Sequence, residues 1–108
     1  MADFLFVFGF ETPTQYRNSI AHGWDDEDSE AVFIECADAA EATSWGAEIA
    51  ERFVGSLFEA AGRLAFSWKE QGYAHGIEAR ADVVERAIAA GAPRVRVGEM
   101  PQLGPRVD

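Results

Sequence analysis

The sequence predicts an α/β (α+β) fold, a two-layer sandwich in which one mixed sheet of about four strands carries two main helices on one face. Three observations predict it. Apolar residues alternate at strand period in short stretches spread along the chain. Two stretches between them carry helical period, and one is long. Crossovers through helices imply at least some parallel pairing. The order of the strands does not follow from these patterns.

The first strand is expected over residues 3–10. Phe4, Phe6, Phe8 and Phe10 point one way, and Leu5, Val7 and Gly9 the other. Both faces are apolar, which places this strand in the middle of its sheet, and Gly9 leaves room for another backbone or a helix to approach. A long connection follows over 11–30. Thr12, Pro13 and Gln15 have the spacing of a helix cap, a first helical position and a capping-box partner. They predict a short helix at 13–21, anchored by Tyr16 and Ile20 and ended by Gly23. The acidic residues after it are expected to form an exposed loop.

A second strand is expected at 31–36, with Val32, Ile34 and Cys36 on one face. Asp38 then caps a helix, with Glu41 three residues on. Ala42, Trp45, Gly46, Ile49, Phe53 and Leu57 fall on one side, and Glu41, Glu48, Arg52, Gly55 and Glu59 on the other. This helix is placed at 38–60, ending near Gly62. A helix-lowering glycine at 46 fits close packing on the sheet, since glycine in a helix costs about 1 kcal/mol against alanine. Leu64, Phe66 and Trp68 alternate as a strand would over 63–69, and a glycine-bracketed loop covers 71–76. A second helix is expected over roughly 79–90, with Val84, Ala87 and Ile88 inward and Gly91 and Pro93 ending it. Arg94, Val95, Arg96 and Val97 form a last strand whose basic face marks a sheet edge. Residues 1–98 make a single globular domain, with an irregular C-terminal tail at 99–108.

At 108 residues and 48% hydrophobic content, the chain has enough apolar mass for one core without metal or disulfide. Its net charge of −10 is uneven: residues 1–51 hold twelve acids and one base, residues 52–108 seven acids and eight bases. That balance excludes nucleic acid and anionic membrane as partners, since both need a basic face. It favours a basic partner, a cation, self-association or pairing between the chain's own halves, with solubility as the plain alternative. Cys36 is the single cysteine, so no internal disulfide forms. The apolar run Phe4 to Phe8 is short, follows Asp3 with no basic residue before it and lacks a small-residue cleavage site, so it does not read as a signal peptide. No run nears the ~20 apolar residues of a membrane span. A cytoplasmic protein is the expectation.

Five acids fall within the six residues Asp25, Asp26, Glu27, Asp28, Ser29 and Glu30, directly after Trp24. A solvated charged loop is the plain reading. An exposed aromatic beside charge is also the composition of a binding hot spot, in which the loop steers a basic surface in and Trp24 and Tyr16 bury against it. Calcium fails on spacing. An EF-hand starting at Asp26 would need glycine where Ala31 stands and a bidentate glutamate where Ala37 stands. Zinc lacks its spacing among His22, His75 and Cys36. A Cys36–His75 nucleophile pair is disfavoured because Cys36 continues a buried alternation amid acids. The loop from Trp68 to Gly76 is the pocket candidate, with Trp68, Tyr73 and His75 as its lining, although the phase of Trp68 also suits the core. Arg94 and Arg96 could bind an anion, but pairing with the chain's own carboxylates or a second copy is the stronger reading.

No catalytic or cofactor motif is present, no cofactor or metal is expected, and an enzyme is the weaker expectation. In charge and size alone, through its acidic-aromatic loop, the chain resembles small bacterial immunity and antitoxin-like inhibitors. That resemblance implies a protein-binding domain that offers Trp24, Asp25 to Glu30 and Tyr16 to a basic partner. A small-ligand or enzymatic domain at the Trp68–His75 loop is the first alternative. A structural homodimer, in which the acidic half of one copy meets the basic strand of another, is the second.

Overall fold

A computed structural model describes residues 1–63 and 66–103. In chain order it contains β1 (Ala2–Phe10), α1 (Pro13–His22), β2 (Asp28–Cys36), α2 (Ala39–Ala60), α3 (Trp68–Gln71), β3 (His75–Glu78), α4 (Ala81–Ala89) and β4 (Arg94–Arg96). The four strands form one mixed sheet in the order β3-β1-β2-β4. β1 pairs antiparallel with both β2 and β3, and β2 pairs parallel with β4. This is the expected α/β sandwich, with β1 central and the arginine-bearing β4 at an edge.

Alternation along β1 builds the core. Phe6, Phe8 and Phe10 are fully buried, and Val32 and Ile34, paired across from Phe6 and Phe4, extend the same apolar face. α2 covers that face with Ala42, Gly46, Ile49, Ala50, Val54 and Phe58. Its buried stripe is turned slightly from the one expected. Trp45, Phe53 and Leu57 lie at its margin, half-buried, while Ala50, Val54 and Phe58 take the centre. Gly46 sits on the Phe6 ring: a Cβ there would come within 2.4 Å of it. Of the two main helices, α2 is the one that packs on this face. α4 borders the opposite face, where Val83 and Ala87 share a groove with Leu5 and Val7. No residue of α4 is buried, and Ile88, expected inward, is 60% exposed.

Three local expectations are corrected. The strand placed at 63–69 is not formed by its described residues: Phe66 and Ser67 have no regular structure and Trp68 opens the single turn α3, while Leu64 and Ala65 lie outside the described residues. Tertiary hydrogen bonds decide this. The Trp68 indole N–H donates to the Gly9 carbonyl at 2.8 Å, and the Glu51 carboxylate on α2 accepts from the Ser67 hydroxyl and the Lys69 amide at 2.6 and 3.0 Å. The missing strand is β3, at residues read as the end of a loop (75–76) and as the two unassigned residues before the second helix (77–78). It forms because the second edge of β1 needs hydrogen-bond partners. Finally, β2 begins at Asp28 rather than 31. β1 runs to Phe10, so Asp28, Ser29 and Glu30 continue the ladder opposite Phe10, Gly9 and Phe8. Pairing overrides the low strand propensity of Asp and Glu.

α1 starts and stops as expected. Thr12 and Gln15 exchange both capping-box bonds, and Gly23 closes the helix at φ 70°. Ile20, however, is 70% exposed, so the helix is anchored by buried Pro13 and by Tyr16, set edge-on against Phe58 and Phe66 at 5.6 and 5.3 Å. The tail Glu99–Leu103 has no regular element, and the rest of it, 104–108, lies outside the described residues. Trp45 donates its indole N–H to the Glu99 carbonyl at 2.9 Å.

Two glycines of α2 should respond oppositely to alanine. Gly46→Ala drives a methyl into the Phe6 ring, an overpacking cost of roughly 1–3 kcal/mol that exceeds the gain of about 1 kcal/mol in helix propensity. Gly55→Ala meets nothing within 4 Å, so the propensity gain stands alone. Urea unfolding should show the first variant less stable than the parent and the second more stable by about 0.5–1 kcal/mol.

Candidate functional site

The C-terminal end of β1 organises both regions that the sequence singles out. The Gly9 amide donates to the Ala74 carbonyl at 2.8 Å, and its carbonyl takes the Trp68 indole. A Cβ at Gly9 would lie in ordinary van der Waals contact with the Ala74 oxygen, at 3.5 Å. Glu11 follows, a buried carboxyl group at 9% exposure. Its Oε1 accepts from the Tyr73 hydroxyl at 2.6 Å. Its Oε2 lies 2.5 Å from the Ser19 Oγ on α1, and the same Oγ lies 2.6 Å from the Trp24 carbonyl. Ser19 has one proton for these two acceptors and serves them in turn.

The Tyr73 phenol is pushed well above the ordinary tyrosine range. Burial is the largest cause, followed by its hydrogen bond to Glu11, the Glu11 charge and then the Glu27 charge. Through that last effect the acidic loop acts on the Tyr73 turn, so the two regions are electrostatic neighbours.

Trp24 is 52% exposed and stacks on His22 with ring centres 4.5 Å apart. Asp25, Asp26 and Glu27 follow it in an exposed segment without regular structure. Asp28 and Glu30 are half-buried on β2, and the Gln15 amide reaches the Asp28 Oδ1 at 3.4 Å. Tyr16 is held in the margin of the core, with the Arg63 guanidinium 4.7 Å above its ring. Of the two aromatics read as partner-binding, Trp24 is therefore the exposed one.

Among the described residues, five bases form ion pairs, all away from the acidic loop. Arg94 meets Asp3 at 3.1 Å, Arg96 meets Glu35 at 3.3 Å, Arg80 and Arg86 share Asp82, and Lys69 meets Glu48. Asp25, Asp26 and Glu27 enter none of these ion pairs. The basic strand is thus matched inside the chain, as its two arginines on one face suggest. These pairs are exposed and each contributes about 0–1 kcal/mol.

Trp68, Tyr73 and His75 do come together. With Ala47, Lys69 and Gly72 they line a cavity of about 210 Å³. Trp68 and Tyr73 are buried, while His75 is exposed, with Nδ1 2.8 Å from the Tyr73 carbonyl and its ring edge-on to Trp68 at 5.0 Å. Small-molecule sites usually occupy about 300–1,000 Å³, so this space is small for one. Cys36 pairs across from Ala2 and His75 across from Phe8, six residues apart along β1, or roughly 20 Å. The two cannot form a dyad. Burial also raises the Cys36 thiol, and its Sγ donates to the Asp38 carbonyl at 3.2 Å. Among the described residues, no group of three or more His, Cys, Asp or Glu side chains is arranged to hold a metal ion.

Sequence reasoning missed Glu11, Ser19 and the groove beneath α4. That groove, about 650 Å³, has Leu5, Val7, Ala31, Val83, Ala87 and Leu103 among its lining. A glutamate one residue past a strand reads as solvent-facing, and only the fold shows it enclosed by Tyr73 and Ser19. No known protein family matches the chain, and neither curated proteins nor solved structures give a match. No helix among the described residues is long and apolar enough to cross a membrane.

Tyr73→Phe should cost about 1–3 kcal/mol, because the Glu11 Oε1 then lacks its buried donor. In the parent, Tyr73 keeps its proton more tightly when folded than when unfolded, where the ordinary value is 10.0. Its contribution to stability is complete below that pH and declines as the pH rises above it. Ultraviolet titration should show no phenolate signal from Tyr73 until the fold opens in strong alkali. Denaturant midpoints should fall above pH 10 less steeply in Tyr73→Phe than in the parent.

Proposed function

We propose that the chain is a protein-binding domain that docks Trp24, Asp25, Asp26 and Glu27 onto a basic protein surface, with Asp28 and Glu30 adding charge from β2. One observation carries this reading: a half-exposed tryptophan stands beside three exposed carboxylates that enter no ion pair among the described residues. Opposite charge on a partner would raise the encounter rate, and burial of the indole would supply affinity. Tyr16 supports the site from below, by fixing α1 on the core. The domain is taken to work in the cytoplasm as an inhibitor of the immunity-protein kind, where it would meet a partner with a basic recognition face. The alternative homodimer, acidic half to basic strand, gains no support from arginines already matched to Asp3 and Glu35.

The test is capture from an extract of the source cell at low salt, followed by rate measurements on the captured protein. The triple variant Asp25→Asn, Asp26→Asn, Glu27→Gln should slow association about tenfold or more at low salt and flatten its salt dependence. Trp24→Ala should instead speed dissociation and cost about 2 kcal/mol or more. Equal capture by parent and triple variant, or association indifferent to salt, overturns the reading.

A further inference from the structure

We propose that Tyr73, Glu11 and Ser19 form a latch that grips the Trp24 carbonyl and holds the acidic loop in one arrangement before any partner arrives. Its purpose rests on the protein-binding reading, but its existence does not.

The latch is anchored at its far end. Tyr73 is buried, and the next residue, Ala74, is tied to Gly9 of β1 by a backbone hydrogen bond. The Tyr73 hydroxyl fixes the Glu11 carboxyl group, Glu11 sets the Ser19 hydroxyl, and Ser19 reaches the Trp24 carbonyl, through steps of 2.6, 2.5 and 2.6 Å. The segment it holds needs such a restraint. Gly23 is in the left-handed region at φ 70° and gives its amide to the Ser19 carbonyl at 2.9 Å. Beyond it, Trp24 to Glu27 has no regular structure, and three neighbouring carboxylates repel one another. A segment ordered in advance loses less freedom when a partner binds.

Glu11 sets how firmly the latch closes. Ser19 has one proton and two acceptors, so it holds the Trp24 carbonyl only part of the time. In Glu11→Gln, an amide N–H in the place of Oε2 would donate to Ser19 and commit the hydroxyl proton to Trp24. The remaining amide oxygen would still accept from Tyr73. Removal of the carboxyl charge should therefore tighten the loop, whereas a mere loss of packing would loosen it.

Backbone 15N relaxation on the isolated chain tests this without a partner. In the parent, order parameters for the amides of Trp24 to Glu27 should lie above about 0.6, and in Glu11→Gln they should rise towards those of rigid backbone, about 0.85. In Ser19→Ala and Tyr73→Phe they should fall below about 0.6, while amides of α2 stay near 0.85. Ser19 is the decisive position, because it lies outside the core and its hydroxyl is only part-buried, so Ser19→Ala keeps the test available even if Tyr73→Phe does not fold. A parent loop already below about 0.6, a Ser19→Ala loop as rigid as the parent, or an equal loss of order in α2 overturns the latch. If the latch holds and capture fails, the binding reading alone falls. If capture holds and the loop is mobile in the parent, the latch alone falls.

Discussion

β1 has to be satisfied on two faces and along two edges, and the rest of the fold is arranged around that demand. Its four phenylalanines call for a helix on one side. α2 answers by coming close enough that residue 46 must be glycine. Its backbone calls for partners on both edges. One is met by nine residues of β2, which carries the ladder out into the acidic run. The other is met by β3, a His-Gly-Ile-Glu segment with little strand character of its own. A long central strand thus imposes structure on sequence that would not choose it, because an unpaired backbone group in a buried setting costs more than a poor local propensity.

The charge asymmetry resolves into a division of labour. The arginines of β4 reach back across the sheet to Asp3 and Glu35, and those of α4 stay on their own helix with Asp82. The excess negative charge is left at the opposite end of the strands, where β1 ends, α1 begins and β2 enters. That end also carries the exposed indole. In the proposed binding role, charge would set the class of partner that could approach, and the aromatic would set where contact buries area. Neither feature alone would single out this corner.

The same corner joins two regions that look unrelated along the chain. The Trp68–His75 turn and the Trp24 loop stand more than forty residues apart in sequence, yet both rest on the last residues of β1. Gly9 takes the backbone and the indole of one, and Glu11 connects Tyr73 with Ser19 and Trp24. A buried carboxyl group with neutral hydroxyl donors on both sides is an unusual joint for an acidic surface. It couples the order of the loop to the core rather than to surface ion pairs, which salt would weaken.

The sequence by itself determined the sandwich, the central place of β1, the capping box of α1, the long amphipathic α2 and the basic edge strand. Each of these is written in spacing: period two, period 3.6, or a cap three residues from its partner, all within one turn or one strand. It also determined the sign and position of the excess charge. Only the tertiary structure decided that Trp68 begins a helical turn, that His75 to Glu78 is a strand, that Ile20 and Ile88 face outward, and that Glu11 is enclosed. Those outcomes depend on groups distant in the chain, such as the Gly9 carbonyl, the Glu51 carboxylate and the open edge of β1. Local periodicity cannot carry them, because the partner that fixes each residue is brought close only when the sheet has formed.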